Sequence, residues 1–126
     1  MADAPSAPPK YHAPALDRGF DILEALARSS TPMTLTQLAH AVGSSTNKIY
    51  RVLNSLEHRG YVRRDETTAT YRLSLKLYEL AHQHPPVQAL INAAHRPMET
   101  LAESLGESCH LSVLRRGKLV VLQQAL

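Results

Sequence analysis

The stretch Thr34–Gly60, TLTQLAHAVGSSTNKIYRVLNSLEHRG, limits what this chain can become more than any other. Leu35, Leu38, Ala39 and Val42 recur at i, i+3, i+4 and i+7, and Ile49, Val52, Leu53 and Leu56 repeat that spacing. Each set lays one apolar stripe along a helix and leaves the other side wet. Between them Gly43 stands where a left-handed C-cap is wanted. Ser44, Ser45 and Thr46 each carry a hydroxyl able to cap the next helix. Two caps around one glycine demand a sharp bend, so two short helices are expected instead of one long rod. That is a helix-turn-helix pattern.

The second helix, Ser45–Arg59, is the informative one. On a wheel centred on Ile49 and Leu56, its outward side carries Asn47, Arg51, Asn54 and His58, with Lys48 and Tyr50 on the flanks. Arginine can hold guanine edges with two bonds and asparagine adenine edges, while lysine and tyrosine suit phosphate oxygens. Any surface helix is polar outside, and this one alone would be read that way. The turn before it and the basic hairpin after it favour a DNA-reading helix, positioned by Leu35–Val42. Thr34, which caps the positioning helix, is counted among the DNA-facing residues.

Gly60 ends the reading helix. Tyr61–Arg64 and Thr70–Leu73 then read as two strands about the turn Asp65–Ala69, with Tyr61 and Tyr71 able to pair and the arginines projecting. Such a hairpin is marginal alone and must rest on the helices. A basic hairpin after a reading helix is a wing, whose Arg63 and Arg72 would lie along phosphates or in the minor groove. The plainer alternative is a solvated charged hairpin. Charge placement supports the wing: residues 44–76 hold seven lysines and arginines against three carboxylates, whereas residues 77–126 balance to zero. The positive charge sits on the segment proposed to meet DNA.

The remaining chain is read around this unit. Residues 1–14 contain four of the eight prolines and too little apolar surface to offset ordering, so a disordered arm is expected. A helix fits Ala15–Ser29, with Leu16, Phe20, Leu23 and Ala27 on one side, Ile22 and Leu26 widening the stripe, and Phe20 anchoring the core. A linker helix follows at Leu75–Gln83, and the break His82–Pro86 marks a domain boundary. Val87–Leu105 is helical in pattern, with Pro97 expected to kink or divide it. Cys109–Leu114 and Leu119–Gln124 then look like strands joined by Arg115–Lys118. These last residues are too few to close a sheet, so an incomplete second domain is expected, whether from a fragment or a truncated gene product.

Other classes fit poorly. No apolar run approaches the roughly 20 residues of a membrane span, and no secretory signal is expected. A lone cysteine, Cys109, suits a reducing cytoplasm. His82 and His84 at i, i+2 share no helix face and lack nearby ligands, so no metal is assigned. Cys109 beside His110 offers the residue types of a nucleophile and base, but neighbours in a strand point to opposite faces. No Ser/His/Asp set or phosphate-cradling glycine loop appears. No enzyme activity and no cofactor are expected.

From about Leu16 to the last residue the sequence resembles the N-terminal part of an IclR-family transcriptional regulator. The resemblance is carried by LDRGFDILEALA, by TLTQLAHAVGSSTNKIYRVLNSLEHRGYV, by RDETTATYRLSLKLYELA and by RPMETLAESLGESCHLSVLRRGKLVVL in combination. It implies a mainly α fold with a small β wing: a winged helix-turn-helix at residues 15–74, a linker helix at 75–84, and from 85 to 126 the start of an α+β, GAF-like effector domain. It implies a cytoplasmic repressor or activator that binds a palindromic operator in double-stranded DNA as a homodimer, tuned by a small-molecule effector. Carried over by position, DNA contacts fall at Thr46, Asn47, Lys48, Tyr50 and Arg51, with Arg18 at a matching, often basic place. The family usually shows a small-hydroxyl pair at Asn47 and Lys48, a departure that alters base preference while keeping DNA-binding chemistry. The competing expectation is a protein-interaction module, a truncated winged helix that dimerises with full-length regulators as a dominant negative.

Overall fold

A computed structural model describes Ala7 and residues 9–126. Half of the expected arm at residues 1–14, namely residues 1–6 and 8, falls outside the described residues, and its last residue, Pro14, opens a helix. Pro9–Gln83 form one compact unit, and His84–Leu126 belong to another.

The first unit opens with α1 (Pro14–Arg28), which carries a proline in its first turn, where no intrahelical N–H bond is lost. Its buried residues are Gly19, Ile22, Ala25 and Leu26. Phe20, expected to anchor the core, is instead 55% exposed. The reason is angular: at 100° per residue Phe20 lies about 200° from Ile22, on the far flank of the helix. The long apolar stripe read from the sequence is two stripes, and only the one centred on Ile22 meets the core.

After α1 come β1 (Met33–Thr34), α2 (Leu35–Val42), α3 (Thr46–His58), β2 (Val62–Asp65), β3 (Thr70–Leu73) and α4 (Lys76–Gln83). Ile22, Leu38, Ile49, Leu53 and Val62 are sealed from solvent, joined by Ala25, Leu26, Ala39 and Tyr71. Burying a Leu or Ile side chain fully stabilises by roughly 1.5–3 kcal/mol. This cluster therefore fixes how the three helices and the hairpin meet.

The sheet has the order β1-β3-β2, all antiparallel. Sequence reading missed β1, because two residues carry no period to detect. The expected pairing of Tyr61 with Tyr71 does not occur: Val62 faces Leu73 and Arg64 faces Tyr71. Tyr61 belongs to the cap that ends α3, so the strand begins one residue later than expected.

In the second unit α5 (Gln88–Leu105) packs against a hairpin of β4 (Cys109–Arg115) and β5 (Lys118–Ala125). The helix is not divided at Pro97. The bond that proline cannot make would have gone to the carbonyl of Ala93, an exposed residue whose oxygen water can satisfy. Arg116 and Gly117 both have positive φ, 51° and 74°, which gives the two-residue type I′ turn that suits a twisted hairpin. The buried set here is small: Met98, Ala102 and Ala125, with Ala94, Cys109 and Leu111 partly buried against it. No helix among the described residues is long and apolar enough to cross a membrane.

Candidate nucleic-acid interface

The interface is built outward from two helix ends. Thr34 accepts a bond from the Gln37 N–H at 3.2 Å, and the Gln37 side chain accepts one from the Thr34 N–H at 2.9 Å. This reciprocal capping box satisfies two of the donors that open α2. At the other end Gly43 sits at φ 66°, with its N–H on the His40 carbonyl and the Ser44 N–H on that of Ala39. This Schellman closure reverses the chain within two residues. Ser45 then caps α3 through a bond from the Lys48 N–H at 3.4 Å. Each of these caps was legible in the sequence.

On α3, Ile49 and Leu53 are fully buried, while Val52 and Leu56 are partly buried against the same core. The opposite side exposes Asn47, Lys48, Arg51 and Asn54, Thr46 is exposed as the first residue of the helix, and Tyr50 is 51% exposed on the flank. Asn47, Arg51, Asn54 and His58 follow one another at helical spacing, so they form a single row. Among the described residues, no ion pair or hydrogen bond engages the side chains of Asn47, Lys48, Arg51 or Asn54. The row is exposed to solvent and can exchange hydration for base edges.

The wing adds charge from the side. Arg63 and Arg72 are direct partners across β2 and β3, both exposed and on one face of the sheet. Like charges placed opposite each other destabilise a strand pair, and an anion between them removes that cost. Asp65, on the same face, accepts the N–H groups of Thr67 (2.8 Å) and Thr68 (3.2 Å) at one carboxylate oxygen, Oδ1. Thr34 pairs with Thr70 in the next row, which sets the N-terminus of α2 beside the wing.

Not every arginine projects as expected. Arg64 lies on the inner face, 2.6 Å from the Glu66 carboxylate and with its guanidinium 6.0 Å from the Tyr71 ring centre. Its pKa is raised, first by the hydrogen bond to Glu66 and then by the charge of that carboxylate. Arg64 is thus charged at any pH the fold meets, and committed to a local pair. Lys76, counted in the basic segment, is likewise turned inward and donates to the Arg59 carbonyl. Lys76 had no local signal, since its partner lies 17 residues away; Glu66 is only two residues from Arg64, but the place of Arg64 beside Tyr71 depends on strand register.

Arg18 is half-buried on α1, where it lines an open groove of about 630 Å³ with Ser44, Ser45, Lys48 and His40. Asp17 and Asp21 line the same groove. The fold thus brings Arg18 to the start of α3. The other charge-bearing features stay apart: among the described residues no three His, Cys, Asp or Glu side chains are placed to hold a metal.

Comparison with known proteins bears on the family and the fold. Residues 15–66 match the model of the IclR helix-turn-helix domain. The glycerol operon regulatory protein of Streptomyces coelicolor is 31% identical over 108 residues, which are 85% of this chain and 42% of that protein. An IclR family transcriptional regulator from Brucella abortus shares the fold with a TM-score of 0.80 at 20% identity, over 98% of this chain and 47% of the other. An IclR homolog from Microbacterium hydrocarbonoxydans, solved with 4-hydroxybenzoate, shares it with a TM-score of 0.70 at 23% identity, over 87% and 45%. The chain spans about two fifths of the length of the curated relatives it matches.

Proposed function

Because the chain belongs to the IclR family, whose helix-turn-helix domain it carries at residues 15–66, we propose that it is a sequence-specific transcriptional regulator that reads double-stranded DNA. The observation that carries this reading is the solvent-exposed row Asn47–Arg51–Asn54–His58, on the side of α3 opposite Ile49 and Leu53. Arg51, Asn47 and Asn54 would face base edges in the major groove, and Thr46, Lys48 and Tyr50 would meet phosphates at its rim. Arg18 would reach a phosphate at the start of the reading helix, and Thr34 one at the start of α2. Arg63 and Arg72 together would hold a wing phosphate. Residues 15–74 would form the DNA-reading domain, 75–84 the linker, and 85–126 the opening of an effector domain. No ligand-binding residue is assigned there.

Two copies would bind a palindromic operator, their half-sites about one or more helical turns, roughly 34–36 Å each, apart. The contact between copies would use an apolar cavity of about 360 Å³ in the first unit, lined by Leu16, Phe20, Leu23, Leu56, Leu77 and Leu80. Leu16, Phe20 and Leu80 are 60%, 55% and 49% exposed, so an isolated copy leaves them largely in water. That same surface favours a second reading, in which the chain pairs with full-length relatives and keeps them from DNA.

Gel-shift titration over a salt series, with duplexes selected from a random pool, tests the first reading. Arg51→Ala should relax base preference at one position by about 1–3 kcal/mol, whereas Arg72→Ala should weaken all sequences alike and lower the salt slope by about 1. Unchanged binding by both variants refutes the contact assignment. Co-purification with a full-length relative, without affinity for any duplex, would instead establish the second reading.

A further inference from the structure

The chain leaves α3 through three successive backbone carbonyls, those of Arg59, Gly60 and Tyr61, and each is met by a donor from the segment that opens α4. Lys76 Nζ donates to the Arg59 carbonyl. Ser74 Oγ donates to the Gly60 carbonyl at 2.5 Å, and the Ser74 N–H to the Tyr61 carbonyl at 3.0 Å. The same Ser74 oxygen accepts from the Lys76 N–H at 3.1 Å, so the first turn of α4 is tied to the atom that grips Gly60. The Lys76 ammonium lies 4.6 Å from the Tyr61 ring centre. Its stem passes over Gly60, with Cδ 3.6 Å from where a Cβ there would stand.

A single bond at a helix junction leaves the second helix free to swivel. Three bonds to consecutive carbonyls, with a cation at the negative end of the α3 dipole, remove that freedom. The Gly60 N–H bonds the Glu57 carbonyl and the Tyr61 N–H that of Leu56, so the junction is anchored on the α3 side as well. Leu77 and Leu80, which follow on α4, line the cavity assigned above to the contact between copies.

We propose that Ser74 and Lys76 are positioning residues: they lock the direction of α4 to the reading helix and so set the spacing at which two copies present their reading helices to DNA. The proposal rests on the DNA-reading and pairing functions given above. Lys76, on this view, acts through the backbone of α3 and touches no phosphate.

The test compares the wild-type chain with Ser74→Ala, Lys76→Met, the double variant and Lys76→Arg, which keeps a cation able to donate to the same carbonyl. Duplexes carry one half-site, or two half-sites whose separation is varied in single base pairs around one turn. Wild type should prefer one separation by about tenfold or more, and the double variant by less than about threefold, with single-half-site affinity and salt slope unchanged and with Lys76→Arg restoring the preference. A double variant that keeps the wild-type spacing preference overturns the proposal. So does one whose half-site affinity falls in step, which would make Lys76 a direct contact. A readout without DNA runs alongside: spin labels at Ser55→Cys and Gln83→Cys, in a Cys109→Ser background, should give a narrow distance distribution that broadens in the double variant. An unchanged distribution overturns the lock. If wild type selects no duplex at all, the DNA-reading function falls, and the spin-label distances decide the lock by themselves.

Discussion

Leu53 and Leu119 are the same side chain in opposite circumstances. The first is fully enclosed between α1, α2 and the wing, and the second is 73% exposed on β5. Leu53 is one of nine buried residues, from three helices and two strands, that close on one another. Around α5 and its hairpin only Met98, Ala102 and Ala125 are buried, while Leu90, Leu101, Leu105, Leu114, Val120 and Val121 stay exposed. The contrast is one of layers, not of composition. Helices crossing at angles, with a sheet packed on them, can shield an interior from several sides, whereas one helix on a two-stranded hairpin shields it from one.

Separating the units should have the largest effect. Residues 9–83 made alone should give a dispersed amide spectrum and one cooperative unfolding transition, and residues 84–126 alone should give neither. A cooperative transition from the second piece would break the comparison. Next in size, Leu53→Ala should lower stability by about 3 kcal/mol in denaturant titration. Met98→Ala should cost less than about 2 kcal/mol, because the few residues around it are free to collapse into the space. Equal costs would mean that the second interior is as tightly built as the first.

Gly43→Ala sharpens the contrast at the backbone. Nothing lies within 4 Å of the added Cβ, so the cost comes from the left-handed φ of 66° alone, about 1–2 kcal/mol. A stability change within error would show that the turn between α2 and α3 can relax. Smallest of all, Leu119→Ser should shift stability by less than about 0.5 kcal/mol while reducing self-association in light scattering. Association that persists unchanged would move the sticky surface away from the hairpin.

Much of the first unit was legible before any coordinates. Thr34 and Gly43 announced their caps, and the cap of α3 was narrowed to Ser44, Ser45 or Thr46, because a cap is a contact over a few residues; Ile49 and Leu53 announced their face because a helix repeats every turn. The same locality explains the errors. Phe20 was assigned to the core because α1 is apolar on more than one flank, and periodicity does not say which flank the partners will cover. Arg64 was grouped with Arg63 and Arg72 because charge counts ignore strand register. Pro97 was expected to kink or divide α5, and division was left open because the exposure of one carbonyl to water cannot be read from a residue type.

The order of residues by itself determined the two helices, the bend between them, the basic hairpin and the polar row on the reading helix, since each depends on atoms a few residues apart. Tertiary structure alone decided that β1 joins the wing, that Arg63 and Arg72 stand opposite each other, and that Lys76 and Ser74 meet the carbonyls of Arg59, Gly60 and Tyr61. Those arrangements join residues 9 to 38 positions apart in the chain. At such separations packing and register choose the partner, and no repeat in the sequence encodes it.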